Sequence, residues 1–153
     1  MIKGLYEAHL PVRDLKKSID FYQNLGLELA STTESYAFFW IEKGKSWLGL
    51  WEGEQVDLPY HVSIRHVAFQ VDSDDLDQAK EWLKERGVEV NEFFGFSPDR
   101  QPLILPNNPQ VHAAIYFEDP DGNLLEFISP LRIDVKEELP MMELHEWKKR
   151  DKS

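Results

Sequence analysis

The sequence contains no cysteine, and this absence excludes several kinds of chemistry at once. Disulfide bonds, thiolate metal sites and cysteine nucleophiles all require a thiol, so this chain uses none of them. No apolar run reaches the roughly 20 residues that a membrane-spanning helix needs. Residues 1–4 are not followed by the long apolar stretch of a signal peptide. We therefore expect a cytoplasmic protein that does not associate with membranes.

Positive charge is also scarce in this sequence. The chain has 17 Lys and Arg residues against 28 Asp and Glu residues, which gives a formal net charge of −11. An acidic surface repels phosphate backbones, so we expect no nucleic-acid partner. Hydrophobic residues make up 42% of the 153 residues, which is enough apolar surface for the core of a single compact domain.

The chain consists of two halves with the same order of predicted elements. Each half opens with a strand of alternating apolar residues, at 8–12 and 66–71, and continues into an amphipathic helix. Asp14 and Ser73 are the predicted N-caps of these helices. Gly26 and Gly87 are predicted to end them, and a strand is expected directly after each glycine. Each half then ends in a hairpin.

The hairpins are identified by their turns. In the first half, strands 36–41 and 47–51 flank Lys43-Gly44-Lys45; in the second, strands 113–117 and 124–128 flank Asp119-Pro120-Asp121-Gly122, a strong turn signal. The sequence therefore predicts an α+β fold. Paired β-α-β-β-β modules would form a curved eight-stranded sheet around a cavity, with the helices outside.

The expected boundaries follow from this repeat. We predict one domain, 1–153, with module one at about 4–52, module two at about 62–130 and a C-terminal tail at 131–153. Residues 52–63 are the expected linker, and 93–112 are an expected long loop. The segment from Phe93 to Pro109 is a predicted lid over the cavity, whose rings Phe93, Phe94 and Phe96 would contact the ligand or the rim. A short helix is expected at about 143–149.

Three motifs carry a resemblance to a known family. They are His9-Leu10-Pro11-Val12-Arg13-Asp14-Leu15, His66-Val67-Ala68-Phe69, and Tyr116-Phe117-Glu118-Asp119-Pro120-Asp121-Gly122-Asn123-Leu124-Leu125-Glu126. Over residues 5–130 the chain resembles the vicinal-oxygen-chelate superfamily of glyoxalases, bleomycin resistance proteins and extradiol dioxygenases. The resemblance implies paired modules around a divalent-metal cavity, where the metal binds adjacent oxygens of a small-molecule substrate. Some members of this superfamily hold no metal and only sequester a ligand.

The candidate metal ligands are His and Glu residues, which suit Fe, Mn, Ni, Co or Zn ions. His66 and Glu126 both lie on predicted strands. Aligning the two halves on Leu10 and Phe69 makes Glu7 the counterpart of His66. His9 lies two residues further on the same face, where it is a ligand, a group supporting the ligand or a proton shuttle. The predicted metal set is thus Glu7, His9, His66 and Glu126, with Glu126 and His9 as the catalytic candidates.

Other residues have alternative interpretations. Trp47 and Trp51 share a strand face with Gly49 between them, and they either form an aromatic cavity wall or pack beneath the helices. Phe94 and His112 are expected at the cavity. The resemblance would add a ligand on strand 47–51, but the position matching Glu126 falls near Leu48 or Gly49, which cannot coordinate a metal. His61 and His145 are interpreted as structural.

Three functions are consistent with these residues. The first is a metal-dependent enzyme of lyase, isomerase or dioxygenase type. The alternative is a binding protein that sequesters an aromatic or cationic compound. The second alternative is a thiol transferase of the fosfomycin-resistance branch, which is disfavoured because Arg13, Arg65 and Arg100 are interpreted as surface residues rather than as an anion pocket.

The expected assembly is a homodimer. The tail carries apolar residues that need a partner surface: Leu139, Met141, Met142, Leu144 and Trp147. The alternative is that the tail packs on its own chain.

Overall fold

The computed structural model describes residues 1, 4–59, 64–106, 111–131 and 140–150. The strands are β1 (Glu7–Val12), β2 (Glu28–Thr32), β3 (Tyr36–Glu42), β4 (Ser46–Glu52), β5 (His66–Gln70), β6 (Leu103–Leu105), β7 (His112–Glu118), β8 (Leu124–Pro130) and β9 (Met142–Glu143). The helices are α1 (Leu15–Asn24), α2 (Ser73–Leu76), α3 (Ala79–Lys84) and α4 (Leu144–Arg150). Short 3-10 helices cover Glu54–Asp57 and Pro98–Arg100.

These strands form two sheets. The first has the order β1-β4-β3-β2 and the second has the order β5-β8-β7-β6-β9. The predicted α+β class with strand-helix-strand modules is confirmed, and its strands are arranged as a four-stranded and a five-stranded sheet. By their contacts, the residues divide into a unit 1 of Met1–Val67 with Asp119–Leu124, and a unit 2 of Ala68–Glu118 with Leu125–Ser153.

In unit 1, helix α1 covers one face of the first sheet. The Asp14 side chain caps the helix, as predicted, by accepting a hydrogen bond from the Lys17 backbone N–H at 3.0 Å. The helix ends at Asn24, and Gly26 follows its C-cap Leu25 with a φ of 90°, the left-handed conformation that glycine adopts without strain. The buried sheet residues on this side are apolar: Leu10, Val12, Ala37, Phe39, Leu48 and Leu50.

Unit 1 also contains the turn Asp119–Leu124, which is the central part of the third motif. The Tyr22 hydroxyl donates to Asp119 Oδ2 at 2.9 Å, and Asn123 Nδ2 donates to the Pro11 carbonyl at 3.1 Å. Buried Arg65 donates to Asn123 Oδ1 at 2.6 Å and to the Val56 carbonyl at 2.8 Å. The turn therefore has a structural role, since its polar groups are hydrogen-bonded to module one and to Arg65.

Unit 2 differs from the sequence prediction in three places. The N-cap of α2 is Asp72 and not Ser73, which is the first helical residue. The predicted helix is interrupted, because α2 ends at Leu76 and α3 starts at Ala79. The strand expected after Gly87 is reduced to a single bridge between Val90 and Phe117.

Part of the predicted loop 93–112 is instead the strand β6. Its residues Leu103 and Ile104 are fully buried, and the strand pairs antiparallel with β7. The prolines on both sides of these residues obscured the strand in the sequence, although burying a short apolar run in a sheet outweighs the local loop preference.

The tail packs on its own chain in the described part. Strand β9 pairs with β6, and the predicted helix is present as α4. Met142 is 7% and Trp147 is 8% exposed, so these two residues do not need a partner surface. Leu139 lies outside the described residues, and the homodimer stays a prediction. Within the described ranges, no helix combines the length and the apolar character needed to cross a membrane.

Candidate functional site

One face of the first sheet carries aromatic side chains, which we call the aromatic face: Tyr36, Phe38, Trp40, Trp47 and Trp51. The strand register places Trp47 beside Trp40, and Trp51 beside Tyr36. Because side chains alternate along a strand, this face is opposite to the one that packs beneath α1. Trp51 is 45% exposed. The two tryptophans therefore do not pack beneath the helix, and their role as the wall of a ligand cavity stays a prediction.

The His9 ring lies over the backbone of Gly49 within this face. The two residues are register partners in the parallel pair of β1 and β4. A Cβ atom at position 49 would overlap His9 Nδ1 and would lie 2.6 Å from Cε1. The edge of the imidazole contacts Phe38, with ring centroids 5.9 Å apart. Only glycine at position 49 leaves room for the imidazole in this position.

His9 links two other polar groups on the same face. Trp51 Nε1–H donates a hydrogen bond to His9 Nδ1 at 2.9 Å. On the other side of the ring, His9 Nε2 lies 3.4 Å from Glu7 Oε2. The Glu7 and His9 side chains are 45% and 36% exposed, so both are accessible to a ligand. Two of the four predicted metal-binding residues are thus brought together.

Glu126 lies in unit 2 on strand β8 and is only 5% exposed. The hydroxyl of Tyr116 on β7 is hydrogen-bonded to this carboxylate. Burial raises the pKa of Tyr116, and the charge of Glu126 raises it further. The cost of burying a carboxylate is lowered by this hydrogen bond. The sequence reasoning did not identify Tyr116. The backbone hydrogen bond from Asp119 to Asn123 closes the hairpin, and counting outwards from this pair places 116 opposite 126.

Phe94 lies in a tight turn of unit 2. The turn is closed by reciprocal backbone hydrogen bonds between Phe93 and Phe96, and Phe94 has a φ of 50°. This left-handed conformation is uncommon for a residue with a side chain. Phe94 is 53% exposed, while the Phe93 ring stacks on Tyr116 with centroids 4.2 Å apart. His112 begins β7 and is half-buried.

Comparison with known proteins identifies the family. Residues 4–127 match the family model of the Glyoxalase/Bleomycin resistance protein/Dioxygenase superfamily. The chain belongs to this superfamily. A "Metallothiol transferase FosB" from Staphylococcus saprophyticus is 30% identical over 161 residues, covering 100% of this chain and 97% of the relative. A "Glutathione transferase FosA" from Serratia marcescens is 30% identical over 129 residues, covering 82% of this chain and 80% of the relative.

A solved structure is also similar to this chain. It is the fosfomycin resistance protein FosX from Listeria monocytogenes complexed with Mn(II) and a sulfate ion, with a TM-score of 0.59 and 30% identity. The match covers 86% of this chain and 94% of the FosX chain. The relatives of this chain thus include one named a metallothiol transferase, one named a glutathione transferase and one observed with Mn(II).

Of the four metal ligands predicted for this chain, the structure brings only part of the set together. Within the described ranges, no three His, Asp or Glu side chains form a group that could hold a metal ion. Glu7 and His9 are neighbours, whereas His66, at the start of β5, and Glu126 stay predicted ligands. A carboxylate is a suitable donor for ions such as Mn(II), so the accessible Glu7 side chain would supply one ligand.

The arginines that the sequence offered for an anionic substrate have other partners. Arg13 forms ion pairs with Asp57 and Asp121. Arg65 is 5% exposed and is part of the turn network, which corrects its interpretation as a surface residue. Arg100 donates to Glu143 at 2.7 Å. His145 lies 3.0 Å from Glu143, which is consistent with a structural role, and His61 lies outside the described residues.

Proposed function

We propose that this superfamily member is a divalent-metal-dependent enzyme that acts on a small planar molecule at the aromatic face. The observation that carries the proposal is the Glu7–His9 pair, in which Glu7 Oε2 lies 3.4 Å from His9 Nε2. This pair lies on a partly exposed sheet face that is lined by aromatic rings. Ligand pockets combine apolar and aromatic walls with a few polar groups that orient the ligand. The aromatic face offers both.

The metal would be held by Glu7, whose carboxylate is accessible. When bound, a divalent ion supplies Lewis-acid polarisation of substrate oxygens. The residues of the aromatic face have a separate role, because rings such as Trp47 and Trp51 bind a flat substrate and keep water from its reacting atoms. His66 and Glu126 are the further ligands that the sequence predicts.

The net charge of the chain and the charges near the aromatic face indicate the class of substrate. The net charge of −11 and the Glu7 carboxylate disfavour a dianionic substrate, and Arg13, Arg65 and Arg100 are engaged elsewhere. We therefore propose a neutral or cationic compound with adjacent oxygens on an aromatic or conjugated skeleton.

Metal analysis of protein purified without a histidine tag tests this proposal. We expect about one equivalent of a divalent ion per chain in the wild type, and a loss of most of it in Glu7→Gln. Glu89→Gln is the matched control, because Glu89 is exposed and is not part of the first sheet. Equal metal content in Glu7→Gln and Glu89→Gln would contradict the proposal.

A second candidate function is thiol transfer to an epoxide, and the names of the relatives favour it. In this reaction the thiolate sulfur bonds to an epoxide carbon, and the C–O bond breaks with its electron pair on oxygen. That oxygen then takes up the proton released by the thiol. Consumption of thiol in the presence of Mn(II) and fosfomycin measures this activity, and robust turnover would replace the planar substrate class with an anionic epoxide.

Sequestration without turnover is the remaining alternative. Quenching of tryptophan fluorescence by planar compounds, measured with and without a chelator, separates it from the proposal. The proposed enzyme loses binding when the metal is removed, while a metal-free binding protein keeps it.

A further inference from the structure

We propose that His9 is a positioning residue for Glu7 and not itself a metal ligand. In this role Trp51 holds the imidazole in the tautomer that carries its proton on Nε2. The inference rests on the proposed function in one respect, since it assigns Glu7 as the group that binds metal. It resolves the alternatives that the sequence left open for His9.

The first step is to determine which nitrogen of the His9 imidazole carries the hydrogen. An indole N–H only donates, so the bond from Trp51 Nε1 at 2.9 Å requires a lone pair on His9 Nδ1. A neutral imidazole with a lone pair on Nδ1 carries its hydrogen on Nε2. Nε2 therefore has no lone pair with which to bind a metal.

The second step concerns what Nε2–H faces. It lies 3.4 Å from Glu7 Oε2, which is slightly longer than the 2.7–3.2 Å of an N–H···O bond. The Glu7 side chain is 45% exposed and has room to rotate, so a small rotation closes this distance. His9 then donates to one carboxylate oxygen and orients the other for a ligand.

The third step is the fixed position of the ring. The imidazole lies on the backbone of Gly49, and its edge meets Phe38. Rotating the ring by half a turn would direct a C–H group at the Trp51 N–H and would lose the hydrogen bond. The arrangement of Trp51, His9 and Glu7 is therefore maintained by packing as well as by hydrogen bonding.

This arrangement has a consequence for metal affinity. Groups that orient a ligand typically contribute about 10–100-fold to metal binding. His9→Leu removes the donor and should weaken Zn(II) binding by about this factor. His9→Gln keeps an N–H donor of similar reach and should restore most of the affinity, which a ligand role for the imidazole would not predict.

Nitrogen-15 NMR of the imidazole tests the inference directly. In alkaline buffer, where an ordinary imidazole is neutral, the metal-free protein should show His9 with a protonated Nε2 and an unprotonated Nδ1. Trp51→Phe should mix the two tautomers, whereas Trp40→Phe, on the same face without a bond to His9, should not. A protonated Nδ1 in the wild type would overturn the inference.

Adding Zn(II) separates this inference from the proposed function. The Nε2 proton should persist in the zinc-loaded protein, and its loss would show that His9 is a ligand and overturn the inference. If Zn(II) binds Glu7→Gln as tightly as the wild type, the proposed function fails. The tautomer of the metal-free protein still decides whether Trp51 positions His9.

Discussion

The hydroxyl of Tyr22 gives the sharpest stability prediction. Tyr22 is fully buried and donates to Asp119 Oδ2 at 2.9 Å. Asp119 also accepts from Asn123 Nδ2 at 2.6 Å and from two backbone N–H groups at 2.9 Å. Tyr22→Phe removes one of four donors to a buried carboxyl group and creates almost no cavity.

The magnitude follows from these contacts. A hydrogen bond to a charged group contributes about 1.5–3 kcal/mol to stability. Because Asp119 keeps three other donors in Tyr22→Phe, we expect a loss near the lower end of this range. We expect Tyr22→Phe to lower the free energy of unfolding by about 1.5–2 kcal/mol. With a urea dependence of about 2 kcal/mol per molar, the midpoint should fall by about 0.8–1 M.

Equilibrium urea unfolding, followed by tryptophan fluorescence, measures this shift. Tyr6→Phe is the control, because Tyr6 is 59% exposed and should change stability by less than about 0.5 kcal/mol. A Tyr22→Phe midpoint within about 0.3 M of the wild type would refute the reasoning.

Alkaline pH supplies a second readout of the same contact. Burial raises the pKa of Tyr22 well above its usual value, and the charge of Asp119 adds to the effect. Above pH of about 10 the unfolded chain loses the tyrosine proton while the folded chain keeps it, so stability falls as pH rises. Tyr22→Phe lacks this loss, and its deficit relative to the wild type should therefore shrink at alkaline pH.

The remaining predictions concern other parts of the chain. Gly49→Ala should displace the imidazole and abolish its hydrogen bond with Trp51, detected by NMR. Its stability should change by less than about 1 kcal/mol, since glycine in a strand itself costs roughly 0.5–1 kcal/mol; an unmoved imidazole would contradict the packing argument. Phe94→Gly should raise the thermal midpoint, because the φ of 50° costs a side-chain residue about 1 kcal/mol or more. A midpoint equal to or below that of the wild type would contradict the assignment of strain to this turn. Trp147→Ala should destabilise by about 3 kcal/mol because the ring is 8% exposed; a calorimetric midpoint equal to that of the wild type would show that the tail does not pack as described.

Much of the fold was predictable because its signals are local. Asp14 and Gly26 mark the two ends of α1 by side-chain capping and by a left-handed backbone. The turn at 119–122 sets the hairpin of β7 and β8. The strand β6 was not predictable in this way, since its three residues lie among prolines and are ordered by pairing with β7 and β9.

The candidate site was predictable only as far as strand periodicity reaches. Two-residue spacing places Glu7 and His9 on one face, and in the structure Glu7 Oε2 lies 3.4 Å from His9 Nε2. The same spacing places Trp47 and Trp51 together, but it does not say which side of the sheet they occupy. That depends on which face α1 covers, a long-range property of packing.

The tautomer of His9 could not be predicted from the sequence. It depends on the Trp51 indole reaching Nδ1 from the neighbouring strand, and on Gly49 leaving the space for the ring. The glycine was visible between two tryptophans, but its effect on His9 required the register of β1 against β4.

Anomalous diffraction from crystals grown with Mn(II) tests the central claim most directly. The account predicts a manganese peak about 2.0–2.2 Å from a Glu7 carboxylate oxygen, a usual metal–carboxylate distance. His9 Nε2 should lie outside bonding distance of the metal and face the second Glu7 oxygen. A peak bonded to His9 Nε2, or one remote from Glu7, would contradict the account.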